Sequence, residues 1–348
     1  MMLNSLSAKA LKPVPDNPPR RSIDPKNRNT RTTDQPIADC AGMIETENLT
    51  RKFGELTAVD NVTLKVSEGE VFGFLGPNGA GKTTTVRMLC CLISKTSGKA
   101  RVGDFEVDRE EDRLKIRKMV GYLAGDVGLY ENLSAYKNLD FYGKLYEVPS
   151  GKRGENIKRL LQLLGLWERK DDAVAGLSKG TKQKLAIARA LIHEPQVLFL
   201  DEPTANLDPL AAKTVRDFIL ELKKEKRTIF LNTHNLDEAE RVCDRIAVLK
   251  TKLIRVGSPE DLERSISSRK TVVHLESIVD SVLAAVKKLS TVKNVGTSEN
   301  KLILDMDDPE KDNPQLVRAI VAAGGNIQYV TEERLTLEDV YLKLVRGT

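Results

Sequence analysis

Apolar residues between positions 43 and 265 fall into short runs separated by helical stretches. Four of these runs are almost continuously apolar: EVFGFLG (70–76), QVLFLDE (196–202), RTIFLNTH (227–234) and DRIAVLK (244–250). Strands that are buried on both faces have this composition. The pattern therefore predicts an α/β fold with a mostly parallel sheet covered by helices, beginning at Met43 with the alternating stretch MIETENLTRKFG.

Two regions depart from this alternation. From about 125 to 190 the pattern is helical, broken by VPSGKRG and AGLSKG, which predicts an all-helical insertion. Residues 270–348 carry strand and helix patterns in the order βαββαβ, followed by the amphipathic stretch TLEDVYLKLV. This order is typical of the ferredoxin-like fold. We expect a first domain over 43–268 and a small α+β domain over 269–348.

Residues 1–42 differ in composition from the rest of the chain. They hold six of the 14 prolines, no aromatic residue, seven basic and four acidic side chains. Such a segment buries too little apolar surface to order itself. It also lacks the apolar region of a signal peptide. We interpret it as a disordered extension, and our hypothesis is that Met43 is the native start.

Charge and cysteine content narrow the class of protein. The 348 residues include 55 basic and 50 acidic side chains, a net charge of +5, so we expect no nucleic-acid partner. No apolar run approaches the roughly 18–20 residues of a membrane helix. The cysteines lack metal-ligand spacing, and we interpret them as free thiols in a reducing cytosol: Cys40, Cys90, Cys91 and Cys243.

A phosphate-binding loop follows the first apolar run. GPNGAGKTT matches G-x-x-x-x-G-K-[ST] between a predicted strand and a predicted helix. Its glycines let consecutive backbone N–H groups point at phosphate oxygens, Lys82 reaches the β and γ phosphates, and the Thr83 hydroxyl binds Mg²⁺. The bland alternative is a glycine-rich turn with a stray lysine. The predicted nucleotide-binding residues of this loop are Gly76, Pro77, Asn78, Gly79, Ala80, Gly81, Lys82, Thr83 and Thr84.

Two later strand ends carry the remaining chemistry. Asp201 and Glu202 close an apolar strand, where adjacent carboxylates are costly without a nearby positive charge. We predict Asp201 as a Mg²⁺ ligand and Glu202 as the residue that polarises the attacking water; the alternative is an acidic surface turn. His234 ends the next strand and is predicted to reach the γ-phosphate, although a strand-end histidine is often structural. Asn235 and Glu238 then form a predicted capping box, NLDE.

Taken together, these motifs resemble the ATP-binding cassette (ABC) ATPases, the nucleotide-binding subunits of ABC transporters. GPNGAGKTT, LSKGTKQK (177–184), LFLDEP, ANLD (205–208) and NTH occur in the order of that family, over about residues 43–265. The resemblance implies a P-loop NTPase fold of ABC type, with an antiparallel β subdomain and a helical insertion. It also implies ATP and Mg²⁺ as cofactors.

The resemblance further implies how the subunits assemble. Members of the family pair head to tail, as a homodimer or with a second cassette, and the signature loop of one closes over the nucleotide of the other. Ser178 and Gly180 would then contact the γ-phosphate in trans, and Asp208 would lie near the subunit boundary. Phe53 falls where the family stacks an aromatic ring on adenine; the alternative is a structural phenylalanine.

The chain departs from the family at two motifs. Lys179 and Thr181 stand where the signature usually has glycine and glutamine, and we interpret the lysines of this stretch as a solvated basic face. Gly125 stands where the family usually keeps a glutamine that senses Mg²⁺. Our hypothesis is that Asp126 takes over this polar role.

The helical stretch GLYENLSAYKNLDFYGKLYEV resembles cassettes of export systems for drugs and sodium. We therefore expect an ATPase that powers an exporter, peripheral on the cytoplasmic face of the membrane, with an integral-membrane permease on a separate chain. Two alternatives are a soluble cassette ATPase of translation or repair and a regulatory cassette that binds ATP without hydrolysing it. The residues do not identify the transported substrate.

Overall fold

The structure is a computed structural model. The residues it describes are 42–125, 128–205, 207–264, 270–306, 308–333 and 337–346. Nearly all of the predicted N-terminal extension, Asp126 and Asn206 of the ANLD loop therefore lie outside the described residues. The strands are β1 (Ile44–Phe53), β2 (Leu56–Val66), β3 (Val71–Leu75), β4 (Ser97–Val102), β5 (Phe105–Glu106), β6 (Val120–Leu123), β7 (Val197–Asp201), β8 (Thr228–Thr233), β9 (Arg245–Lys250), β10 (Lys252–Gly257), β11 (Lys270–Leu275), β12 (Val292–Ser298), β13 (Lys301–Met306) and β14 (Ile327–Glu333).

Helices connect most of these strands. In chain order they are α1 (Lys82–Leu89), α2 (Glu110–Met119), α3 (Ala135–Leu145), α4 (Ser150–Leu163), α5 (Lys179–Leu191), α6 (Pro209–Lys224), α7 (Leu236–Val242), α8 (Pro259–Arg264), α9 (Asp280–Lys287), α10 (Pro309–Ala322) and α11 (Leu337–Arg346). None of the helices within the described ranges is long and apolar enough to cross a membrane.

The central sheet contains the four predicted apolar strands. Its order is β10-β9-β3-β8-β7-β6, with parallel pairing from β9 to β6 and an antiparallel edge strand β10. Every residue of β3, β7 and β8 is buried, because helices and a second sheet cover the two faces. The predicted parallel α/β core is confirmed. All its parallel strands end at the same edge, where the predicted site residues follow β3, β7 and β8.

Two subsidiary layers flank this core. An antiparallel sheet in the order β2-β1-β4-β5 packs its apolar face against α1 and the central sheet. On the other side, α3, α4 and α5 form the helical region expected from about 125 to 190, and their apolar faces share a cluster with β7. The antiparallel subdomain and helical region complete the predicted fold class.

The C-terminal strands form a separate sheet in the order β12-β13-β11-β14, with every neighbouring pair antiparallel. Because α9 and α10 cross over one face and share its core, this is the predicted ferredoxin-like arrangement. The last helix behaves differently. Leu337 and Val340 of α11 are fully buried and belong to the cluster that includes β7 and α5. The exact boundary near 268 stays a prediction.

Candidate active site

The phosphate-binding loop joins β3 to α1, and its backbone packs closely against the neighbouring strand. Gly79 and Gly81 have positive φ angles of 83° and 97°, a region that side chains with a Cβ rarely adopt. A Cβ on Gly81 would lie 2.2 Å from the carbonyl oxygen of Ala58, so the neighbouring strand also requires glycine there. The loop therefore presents its backbone at the N-terminus of α1, where anions are favoured.

Lys82 is the first residue of α1 and is 93% buried in spite of its charge, with a relative exposure of 7%. Its Nζ donates hydrogen bonds to the carbonyl oxygens of Gly76 at 2.7 Å and Pro77 at 3.3 Å. Burial lowers the pKa of Lys82, while the carboxylates of Glu202 and Asp201 act in the opposite direction. A phosphate bound beside the ammonium would favour its charged form.

Asp201 is the last residue of β7 and contacts two other parts of the sheet edge. The Thr83 hydroxyl donates to Asp201 Oδ2 at 2.9 Å, and Asn232 Nδ2 donates to Asp201 Oδ1 at 3.3 Å. Asn232 is fully buried, and its Oδ1 has no hydrogen-bond partner among the described residues. Sequence reasoning missed Asn232, although a polar residue inside the apolar run RTIFLNTH was a usable signal.

Glu202 and His234 form a pair at the ends of two neighbouring strands. His234 Nδ1 lies 2.8 Å from Glu202 Oε1, with the Glu202 side chain 24% exposed and that of His234 62% exposed. Glu202 takes a positive φ of 52°, and its N–H donates to Asn232 O at 2.9 Å. This left-handed residue ends β7 and turns the carboxylate toward His234, a strained geometry of the kind found at functional sites.

The cleft beside this pair has a volume of about 360 Å³. It brings together the antiparallel sheet, the phosphate loop and the two carboxylates, and its lining residues are Phe53, Leu56, Ala58, Pro77, Asn78, Gly79, Ala80, Gly81, Lys82, Thr83, Thr84, Asp201 and Glu202. The Phe53 ring is 46% exposed, with the Arg51 guanidinium 4.4 Å from its centroid. Phe53 is thus available for stacking at the cleft, and Arg51 is a neighbour that sequence reasoning missed.

The signature residues lie on a different part of the same chain. Ser178 caps α5, where its Oγ accepts from Thr181 N at 3.2 Å, and Asp208 caps α6 by accepting from Leu210 N and Ala211 N. A Cβ on Gly180 would lie 3.9 Å from Asp208 Oδ2, so the two helix N-termini are neighbours. These signature residues do not contribute to the described lining of the cleft.

The basic face predicted beside the signature is partly paired. Lys182 Nζ lies 2.7 Å from Glu131 Oε1, and its side chain is only 22% exposed. Lys179, in contrast, is exposed at the start of α5. The interpretation of Lys179, Lys182 and Lys184 as a solvated basic face is therefore corrected at Lys182, because the fold places the Glu131 carboxylate of the helical region beside it.

Comparisons with known proteins identify the family. A family model described as ABC transporter matches residues 59–205, and one described as the C-terminal domain of DrrA1-3-like ATP-binding proteins matches 257–345. The linearmycin resistance ATP-binding protein LnrL of Bacillus subtilis is 30% identical, over 88% of this chain and 99% of LnrL. The chain is an ABC transporter ATP-binding protein. The predicted family is confirmed.

Two further similarities show how much of this ABC protein is shared with known proteins. The probable multidrug ABC transporter ATP-binding protein YbhF of Escherichia coli is 43% identical over 64% of this chain, and the match spans only 38% of YbhF. A solved dimeric, post-hydrolysis ATP-binding cassette with bound ADP and Pi aligns with a TM-score of 0.57 and 26% identity. That alignment covers 62% of this chain and 98% of the other.

The residues at the cleft of this ABC protein fit a magnesium nucleotide. The Thr83 hydroxyl and the Asp201 carboxylate are oxygen ligands of the kind that Mg²⁺ prefers, and they already lie together. The buried Lys82 ammonium supplies positive charge beside the glycine loop. The unpartnered Asn232 Oδ1 leaves a polar atom free to accept a further hydrogen bond in this region.

The predicted capping box at the start of α7 is only half correct. Asn235 Oδ1 accepts from Glu238 N at 3.1 Å, as a cap does, but Glu238 does not return a bond to Asn235 N. Instead Asn235 N donates to Thr233 Oγ1, and Glu238 Oε2 accepts from the Thr233 hydroxyl at 2.8 Å. The threonine hydroxyl competes successfully because it lies in the turn itself, between the two partners.

Proposed function

We propose that this chain binds and hydrolyses ATP as the motor subunit of an ABC exporter, in a head-to-tail dimer that holds two nucleotides between its subunits. The observation that carries the proposal is the convergence of Lys82, Asp201 and Glu202 in one cleft, with His234 paired to Glu202 beside it. Such a set can hold a triphosphate and orient a water molecule. LnrL is named for linearmycin resistance and YbhF for multidrug transport, which supports export as the direction.

In the proposed reaction, Glu202 orients a water molecule toward the γ-phosphorus and accepts its proton. The bond between the γ-phosphorus and the β–γ bridging oxygen breaks, and ADP leaves with that oxygen. Lys82 and the loop N–H groups hold the β and γ phosphates, and Phe53 stacks against the adenine. Thr83 and Asp201 would hold Mg²⁺, which neutralises phosphate charge when it is bound. His234 Nδ1 keeps Glu202 in place through their 2.8 Å contact, and the imidazole would face the γ-phosphate.

The signature loop is proposed to act on the partner's nucleotide. Ser178 is exposed, Gly180 is half-buried beside Asp208, and both lie outside the lining of their own cleft. In a twofold dimer, the hydroxyl and the free N–H groups at the start of α5 would face the γ-phosphate held by the other copy. Asp208 would then lie at the dimer interface. The positive end of a helix at this position supplies electrostatic stabilisation as phosphate charge shifts.

The membrane subunit is proposed to dock on the helical region near 125–150. Tyr130 and Phe141 pack edge to face with centroids 4.9 Å apart, yet 47% and 41% of their surfaces remain exposed. Exposed, mutually packed aromatic side chains are a feature of protein interfaces. Docked in this way, the chain would lie on the cytoplasmic face of the membrane, and closing of the dimer would move a permease on a separate chain.

The experiment measures ATP hydrolysis against protein concentration for the wild type and Ser178→Arg, with dimer mass followed by light scattering. Ser178→Arg also removes a helix cap, a loss of about 1 kcal/mol. The matched control is Ser134→Arg, because Ser134 caps α3 by accepting from Lys137 N at 3.2 Å. It loses an equivalent cap in the helical region.

The proposal expects wild-type activity to rise more steeply than linearly with concentration. Ser178→Arg should still bind ATP but lose hydrolysis and ATP-dependent dimer mass, while Ser134→Arg keeps both. If activity is linear in protein concentration and is unchanged in Ser178→Arg, the protein is a single-site ATPase and the proposed dimer is wrong. A protein that binds ATP but hydrolyses none, both alone and with membranes that carry the permease, would favour a regulatory cassette.

A further inference from the structure

Asn232, Thr233 and His234, at the end of β8, each contact the side chain of a different acidic residue. The contacts are Asn232 Nδ2 to Asp201 Oδ1 at 3.3 Å, Thr233 Oγ1 to Glu238 Oε2 at 2.8 Å, and His234 Nδ1 to Glu202 Oε1 at 2.8 Å. Asp201 and Glu202 belong to the proposed catalytic site. The third carboxyl group, that of Glu238, has no part in the reaction described so far.

Glu238 closes a ring of hydrogen bonds around the histidine. The Thr233 hydroxyl donates to Glu238 Oε2, the Asn235 N–H donates to Thr233 Oγ1 at 3.0 Å, and the Glu238 N–H donates to Asn235 Oδ1 at 3.1 Å. His234 lies between two members of this ring in sequence. The ring therefore restrains the backbone on both sides of His234.

This restraint matters because His234 itself is exposed. With 62% of its side chain in solvent, packing does little to hold the imidazole near Glu202. The direction of its Cα–Cβ bond is then set mainly by the turn in which it lies. Catalysis requires that such side chains be held in a fixed position. A displacement of about 1 Å can lower a rate by about 100-fold.

Glu238 is placed to restrain the turn from inside the protein. Its side chain is fully buried at the start of α7, and burial raises the pKa of Glu238. The nearby charge of Glu202 acts in the same direction, whereas the side chains of Thr233 and Thr204 oppose it. The Glu238 carboxyl group therefore joins α7 to the Thr233 hydroxyl inside the protein, outside the lining of the cleft.

We infer that Glu238 is a positioning residue for ATP hydrolysis, which acts through Thr233 to hold His234 against Glu202. The inference deepens the proposed function and rests on it. It assigns a role in the chemical step to a side chain that does not line the cleft and is not expected to touch the nucleotide.

The test compares Glu238→Ala, Glu238→Gln and Thr233→Val with His234→Ala, and with the double variant Glu238→Ala/His234→Ala. The control Glu240→Gln removes an exposed carboxylate from the same helix. For each protein, steady-state hydrolysis gives kcat and KM, and titration with a fluorescent ATP analogue gives Kd and the number of binding-competent sites. Counting sites separates misfolding from a slower reaction.

A positioning role predicts that Glu238→Ala and Thr233→Val lower kcat per competent site by about 10- to 100-fold, with Kd for the nucleotide nearly unchanged. Glu238→Gln should retain most of the rate, because its amide oxygen accepts the same bond. In the His234→Ala background, Glu238→Ala should have almost no further effect, since residues that act as a unit are not additive.

Other results would overturn the inference. Full kcat in Glu238→Ala, a defect in Glu238→Gln as large as that in Glu238→Ala, or multiplicative losses in the double variant would each reject a role through His234. These outcomes leave wild-type hydrolysis intact, so the proposed function survives them. A wild-type protein that neither binds nor hydrolyses ATP would reject both.

Discussion

Gly76, the first glycine of the phosphate loop, is a position where a single methyl group should disturb the site directly. A Cβ on Gly76 would lie 2.4 Å from the carbonyl oxygen of Leu249, whereas real Cβ contacts begin near 3.0 Å. The Gly76→Ala variant must therefore move one backbone against another by about 0.6 Å. The same residue's carbonyl accepts from Lys82 Nζ at 2.7 Å, so the movement is transmitted to the lysine.

A shift of this size predicts weaker nucleotide binding. The moved carbonyl weakens the hydrogen bond that orients the Lys82 ammonium, and because hydrogen bonds to charged groups contribute about 1.5–3 kcal/mol, Kd should rise by about tenfold or more. Titration with a fluorescent ATP analogue measures the effect, and thermal unfolding reports whether the fold survives. Gly151→Ala is the control, since a Cβ there meets nothing within 4 Å and its backbone is helical. A folded Gly76→Ala protein with wild-type Kd would refute the reasoning.

Two other predictions concern hydrolysis and acid stability. Glu202→Gln should lower turnover by about 10²–10⁴-fold while ATP still binds, and light scattering should detect an ATP-trapped dimer; unchanged turnover would remove Glu202 as the base. The His193 ring stacks on Tyr146 at 3.8 Å, and burial lowers the pKa of His193 to about 4, from 6.5. Because the folded pKa is the lower one, stability should be lost as pH falls from about 6.5 through 4, by about 2–3 kcal/mol after allowance for partial solvent access. Urea unfolding at several pH values should show a smaller loss in His193→Phe, and identical pH curves would contradict this account.

The chemistry of the cleft was readable from short, local signals. The glycine spacing around Lys82 and the carboxylates at the end of an apolar strand are patterns in which neighbouring residues decide backbone shape and burial. The parallel sheet followed from the same runs, since only strands covered on both faces are apolar throughout. That the ends of β3, β7 and β8 share one edge is a consequence of parallel pairing, so the approach of Asp201 to Thr83 was also predictable.

The contacts that refine the site were not predictable in this way. Asn232 and Glu238 are polar residues in ordinary positions of a strand and a short helix, and their partners are set by side-chain directions in a packed interior. The capping box formed only in part for this reason, because the Thr233 hydroxyl takes the Asn235 N–H and the Glu238 carboxyl group that the local pattern pairs with each other.

The family motifs and the order of strands and helices depend on residues close together in the chain, so both could be predicted from the amino-acid sequence. The same holds for the positions of the phosphate loop and of the two carboxylates at the end of β7. Long-range packing set three further arrangements: His234 meets Glu202, Ser178 lies outside its own cleft, and α11 returns to the first core. These arrangements join segments far apart in sequence. Their geometry is set by the close packing of the whole fold, which no local pattern encodes.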